Sequence, residues 1–143
     1  FLREDPPDAN LPVILLAGGT GFAPMKAIIE DLIAKGSQRP IILYWGARKR
    51  VDLYQHELAA TRAATLPCLQ YIPVLSEPEG EDWNGRSGLV HQAVMADFPD
   101  LSGHQVYACG SPVMIDAARR DFVEQCKLPE DAFFADAFTF SAT

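Results

Sequence analysis

Leu15-Leu16-Ala17-Gly18-Gly19-Thr20-Gly21-Phe22-Ala23-Pro24 is the stretch that decides the fold. An apolar run over residues 13–17 enters it and a helical pattern led by Pro24 leaves it, which reads as a strand, a glycine-rich turn and a helix start. Gly18, Gly19 and Gly21 let the backbone bend sharply and carry no side chain that would hold a ligand away. Pro24 suits the first helical position, where a missing amide hydrogen costs nothing. Free amide hydrogens at the positive end of a helix dipole then make the turn a cradle for a phosphate or diphosphate.

The turn lacks the Gly-Lys-Ser/Thr ending of a P-loop, which disfavours nucleoside triphosphate hydrolysis. It also lacks the third glycine of the usual dinucleotide fingerprint. Tyr44-Trp45-Gly46 stands where that fingerprint would put an acidic residue after the next strand. A plain tight turn therefore remains open at this point, and the rest of the chain has to decide.

With 143 residues the chain is long enough for one domain that buries about two thirds of its unfolded surface. Its 48% apolar and 22% charged residues are globular values, and no apolar run is long enough to span a membrane. A net charge of −7 argues against a nucleic-acid partner, since the densest basic run is only Arg48-Lys49-Arg50. Cys68, Cys109 and Cys126 are widely spaced with no Cys-x-x-Cys pair, so no metal site is expected within the chain and a reducing, cytoplasmic setting is. The first residue is Phe, which suggests a start inside a longer protein, with residues 1–12 as a linker and 13–143 as the domain.

Strand and helix patterns alternate along that domain. Residues 23–35 carry Ile28, Ile29, Leu32 and Ile33 on one face and are closed by Gly36; residues 41–45 form a doubly buried strand. Asp52 and Gln55 resemble a capping box ahead of a helix to residue 64. Residues 69–75 read as a third strand, which Pro73 demotes to a sheet edge. A loop over 76–86 leads to a helix over 87–98 with Leu89, Val90, Ala93 and Val94 inward. Residues 106–109 are a fourth strand, followed by Ser111 as cap and Pro112 as first residue of a helix bearing Ile115, Ala118, Phe122 and Cys126 on one face. Residues 132–135 complete a doubly wound α/β fold: a five-stranded parallel sheet of order 3-2-1-4-5 with helices on both faces. In such sheets ligands sit at the carboxyl ends of the strands, where Gly18, Gly46, Ser76 and Gly110 fall.

Gly19-Thr20-Gly21-Phe22-Ala23-Pro24, Tyr44-Trp45-Gly46-Ala47-Arg48, Cys109-Gly110-Ser111-Pro112-Val113-Met114 and Phe134-Ala135-Asp136-Ala137-Phe138 together resemble the pyridine-nucleotide domain of the ferredoxin–NADP reductase superfamily. Within it the chain is most similar to the CDP-6-deoxy-Δ3,4-glucoseen reductases and NAD(P)H:flavin reductases. The resemblance implies that a nicotinamide docks here and passes hydride to FAD held by a preceding flavin-binding barrel of the same parent chain. In several members electrons continue to a [2Fe–2S] centre or a downstream acceptor protein. Neither the barrel's Arg-x-Tyr-Ser motif nor cluster cysteines occur in this sequence.

Carried onto these positions, the resemblance gives Gly18, Gly19, Thr20 and Gly21 the diphosphate, with the Thr20 hydroxyl near the nicotinamide ribose, and puts Pro24 at the helix start. It makes Cys109 the catalytic residue beside the nicotinamide ring; Gly110 and Pro112 let the backbone approach, and Met114 packs beneath. Arg48, Ser76 and Glu77 would meet the adenosine end, and Phe138 would cover the flavin. NADP-specific members carry Ser-Arg where Ser76-Glu77 stands, so Glu77 leans the expectation towards NADH, with NADPH open through Arg48 or Arg86.

Duller readings stand beside these. Cys109 on an apolar strand can be a small buried hydrophobe, Arg48 and Glu77 can simply face water, and His56, His91 and His104 show no catalytic pattern. A non-catalytic nucleotide-binding docking or regulatory module is the alternative to a reductase. A methyltransferase on a similar sheet ranks last, for want of its acidic residue after the second strand.

Overall fold

The structure is a computed structural model that describes residues 12–18, 22–35, 39–49, 53, 56–65, 68–77 and 86–137. The linker expected over 1–12, except Pro12, and the capping pair Asp52 and Gln55 lie outside them, as do Gly36, Gly19, Thr20, Gly21 and Phe138.

The alternation of strands and helices is as expected. β1 (Val13–Gly18), α1 (Phe22–Ala34), β2 (Ile41–Ala47), α2 (His56–Thr65), β3 (Leu69–Leu75), β4 (Arg86–Ser87), α3 (Val90–Asp97), β5 (Gln105–Gly110), α4 (Pro112–Gln125) and β6 (Phe133–Ala137) follow one another. The sheet has six strands in the order β4-β3-β2-β1-β5-β6, and every pairing is parallel. The five-stranded expectation is corrected by one short strand, β4, which pairs Arg86 with Val74 and Ser87 with Leu75. Two residues with polar side chains give no hydrophobic period, which is why the sequence hid them.

β3 is therefore not wholly an edge. Ser76 N–H donates to the Ala47 carbonyl on the β2 side. Because amides along a strand point alternately left and right, residues 73 and 75 face the other way, where Gly88 N–H reaches the Leu75 carbonyl. Pro73 thus turns its missing N–H outward, just short of where β4 begins.

The central strands β1, β2 and β5 bury both faces. Ile14, Leu16, Ile42, Tyr44, Val74, Val106 and Ala108 pack under α3 and α4. Val13, Leu15, Ala17, Leu43, Trp45, Tyr107 and Cys109 pack under α1 and α2. Helices on both faces follow from this alternation.

Several helix readings need adjustment. α1 begins at Phe22, which makes Pro24 its third residue and not its first; that still lies in the first turn, whose amides have no intrahelical acceptor. Its inward face is Met25, Ile29 and Leu32, while Ile33 is 36% exposed. α3 starts three residues later than expected, and Leu89 precedes it at 52% exposure, leaving His91 to take the inward place. α4 matches: Pro112 opens it, Ser111 Oγ accepts the Met114 N–H at 3.3 Å, and Ile115, Ala118, Phe122 and Cys126 are buried.

His56 and His91 are structural. His56 Nδ1 shares a 2.9 Å hydrogen bond with the Tyr71 hydroxyl, joining α2 to β3, and His91 Nε2 lies 3.1 Å from Asp121 Oδ2, joining α3 to α4.

Candidate functional site

β1 and β5 end side by side, with Ala17 opposite Cys109 and the two glycines, Gly18 and Gly110, next in line. A Cβ on Gly110 would sit 2.7 Å from Met114 Cε and 3.4 Å from both the nitrogen and Cα of Gly18. A Cβ on Gly18 would sit 3.1 Å from the same methyl. The carboxyl edge of the sheet is thus a floor of bare backbone with the Met114 thioether packed against it, and any added side chain would fill it. Met114 reaches this place because it follows the Ser111 cap on the first turn of α4.

Two helices begin at that floor. α1 starts at Phe22 just past Gly18, and α4 starts at Pro112 just past Gly110. Neither carries an acidic residue in its first turn, so the helices' own first turns leave their positive dipole ends uncancelled. A backbone floor between two helix N-termini fits the diphosphate of a dinucleotide.

Cys109 lies at the end of β5 as expected, but its side chain is 0% exposed and belongs to the cluster under α1 and α2 with Ala17, Met25 and Trp45. It lies on the side of the sheet from which α1 rises. Gly18, Gly110, Pro112 and Met114 are brought together at this edge; the other expected cradle residues, 19–21, are outside the described set, as is Phe138.

Arg48, Ser76 and Glu77 form a second group along the same edge. β2 and β3 stay paired beyond their ends: Ser76 N–H donates to the Ala47 carbonyl and Glu77 N–H to the Arg48 carbonyl, both at 2.9 Å. Arg48 and Glu77 are exposed. Lys49 Nζ donates to the Glu77 carbonyl at 3.0 Å. That residue was missed by sequence reasoning, which saw it only as part of a basic run too short for nucleic acid; a bond to a backbone oxygen leaves no trace in residue spacing.

Arg86 is engaged elsewhere. Its guanidinium grips Asp97 at 2.7 and 2.9 Å, and the buried Tyr44 hydroxyl donates to the same carboxylate at 2.6 Å. Burial pushes the Tyr44 phenol well up, with Asp97 adding to the rise. Burial would also raise the Asp97 carboxyl, but its bonds to Arg86 and Tyr44 outweigh that and hold it below the usual range. This unit fastens β4 and α3 to β2, and the expected reach of Arg86 towards a 2′-phosphate gives way to it.

Known proteins share this architecture. The chain is 49% identical over 140 residues to the CDP-6-deoxy-L-threo-D-glycero-4-hexulose-3-dehydrase reductase of Yersinia pestis, covering 96% of this chain and 40% of that protein. It is 37% identical to an NAD(P)H-flavin reductase of Vibrio harveyi, covering 93% of this chain and 56% of that one. The crystal structure of the Amycolatopsis cytochrome P450 reductase GcoB superposes over 100% of this chain and 42% of its own with a TM-score of 0.86 at 29% identity. The chain therefore spans well under two thirds of the length of each. The resemblance to the ferredoxin–NADP reductase superfamily is borne out, and residues 15–120 match one of its families directly. On that match the chain belongs to the oxidoreductase NAD-binding domain family.

Proposed function

We propose that this domain docks NADH for a flavin-dependent reductase like the dehydrase reductases and NAD(P)H-flavin reductases it resembles. The acceptor would be FAD held by a flavin-binding domain of the same parent protein, in some relatives with a [2Fe–2S] centre or a downstream acceptor protein beyond. The observation that carries the reading is the bare-backbone floor of Gly18 and Gly110 between the starts of α1 and α4. Hydride chemistry belongs to the nicotinamide and flavin when bound. The chain's part is orientation: the two helix starts and Gly18 hold the diphosphate, Met114 supports the floor, and Cys109 lines its inner side. Orientation of this kind can account for roughly 7–11 kcal/mol of barrier.

Exposed Glu77 at the end of β3 supports NADH over NADPH, because a carboxylate accepts a ribose hydroxyl and repels a 2′-phosphate. Cys68, Cys109 and Cys126 are thiols and form no disulfide, in keeping with a reducing cytoplasm. Among the described residues no helix is long and apolar enough to cross a membrane.

The test is an anaerobic titration of the full-length parent protein with NADH and NADPH. The expected result is a yellow protein whose flavin absorbance bleaches faster with NADH. A full-length protein that binds no flavin, or whose flavin ignores both nucleotides, would overturn the reading in favour of a docking module.

A further inference from the structure

The glycine floor leaves the opposite corner of the same edge unexplained. There the backbone of Glu77 is held twice, its N–H by the Arg48 carbonyl at 2.9 Å and its carbonyl by Lys49 Nζ at 3.0 Å. Ordinary parallel strands splay apart once the ladder ends, and a carboxylate on a loose end can swing away from a neighbouring anion into water. Here a half-buried lysine crosses from the β2 side and ties that end down.

We propose that Lys49 is a positioning residue for nucleotide selectivity: by tethering the Glu77 peptide it holds the carboxylate where an adenosine ribose with two free hydroxyls is accepted and a 2′-phosphorylated one is refused. The proposal rests on the reading of Glu77 given above. A lysine beside a phosphate site ordinarily favours the phosphate, since it adds a cation to the local field. A lysine that acts through Glu77 favours the nucleotide without the phosphate. Removing the ammonium therefore has opposite consequences under the two roles.

The experiment measures NAD+ and NADP+ binding to the full-length parent protein by calorimetry, with Lys49→Met, Lys49→Arg, Glu77→Gln and the Lys49→Met/Glu77→Gln double variant. Methionine keeps most of the apolar stem and loses the ammonium, both its donors and its charge. The expected result is that Lys49→Met lowers the NAD+ over NADP+ preference about fivefold, the size of one ordinary hydrogen bond, and that Lys49→Arg restores it. In the double variant, Lys49→Met should add nothing to the change made by Glu77→Gln.

A preference that rises in Lys49→Met, or stays as it was, overturns the tether. So does a further fall in the double variant. If Glu77→Gln lowers the preference while Lys49→Met does not, the fault lies with Lys49 alone. If Glu77→Gln leaves the preference unchanged, the reading of Glu77 falls and the tether with it.

Discussion

The Tyr44 hydroxyl donates a 2.6 Å hydrogen bond to Asp97 Oδ2, joining a fully buried residue of β2 to the last residue of α3. Arg86 completes the unit from β4. Tyr44→Phe deletes one donor and should destabilise the fold by about 1–2 kcal/mol. Asp97→Ala should cost more, because it leaves a buried hydroxyl without its acceptor and Arg86 without its carboxylate. The double variant should cost less than the sum, since both changes break the same bond. Denaturant titrations of the three variants measure this. The sign with pH follows from a carboxyl held below its ordinary 3.8: the stability it contributes is present above that value and is lost as pH falls through the lower folded one. The gap between parent and Asp97→Ala should close in that acid range.

Gly46 tests how closely α3 is seated. A Cβ there would lie 2.6 Å from Val90 Cβ and 2.9 Å from its Cγ1, atoms fixed near the helix backbone. Gly46→Ala should therefore push α3 off the sheet and cost about 1–3 kcal/mol. Gly18→Ala meets only the flexible end of Met114, at 3.1 Å, so it should cost less stability than Gly46→Ala while weakening NAD+ binding more. Thermal melts with and without NAD+ separate the two effects.

His104 should make the domain acid-sensitive. Burial depresses its pKa below 6.5, partly countered by Asp100, and its Nδ1 has no hydrogen-bond partner among the described residues. The folded state thus prefers the neutral ring, and the unfolded chain binds the proton more readily. Stability from this group is full above 6.5 and is lost as pH falls through the lower folded value. His104→Phe keeps the ring that meets Phe98 at 5.2 Å and should flatten that decline in melts run between pH 7 and pH 5.

Cys109→Ala distinguishes a wall of the site from a core filler. As a wall against the nicotinamide it should slow flavin reduction several-fold at saturating NADH in stopped-flow traces of the full-length protein, with NAD+ affinity little changed. A purely structural cysteine would show a modest loss of stability and an unchanged rate.

Much of the fold was legible because it rests on apolar periodicity. The runs at 13–17, 41–45 and 69–75 gave their strands to within two residues. Ser111-Pro112 announced α4 to the residue, through a cap and a first-turn proline. β4 was not legible, since a two-residue strand is specified by its neighbours Val74 and Leu75 and by nothing in Arg86-Ser87 themselves. The site divided in the same way. Gly18 and Gly110 could be read because bare backbone requires glycine, whereas Lys49 on the Glu77 carbonyl and Tyr44 on Asp97 are contacts across 28 and 53 residues that no local pattern encodes.

Pro73 carries a consequence for how copies of the domain meet. An incoming strand laid along the outer flank of β3 would need an amide donor at residue 73, and proline has none to give. Among the described residues β4 covers only Val74 and Leu75, so the missing donor at residue 73 would interrupt the ladder of any strand laid along the rest of that flank. The ring that breaks a strand's pattern in the sequence thus withholds a donor that a neighbouring molecule's strand would need there.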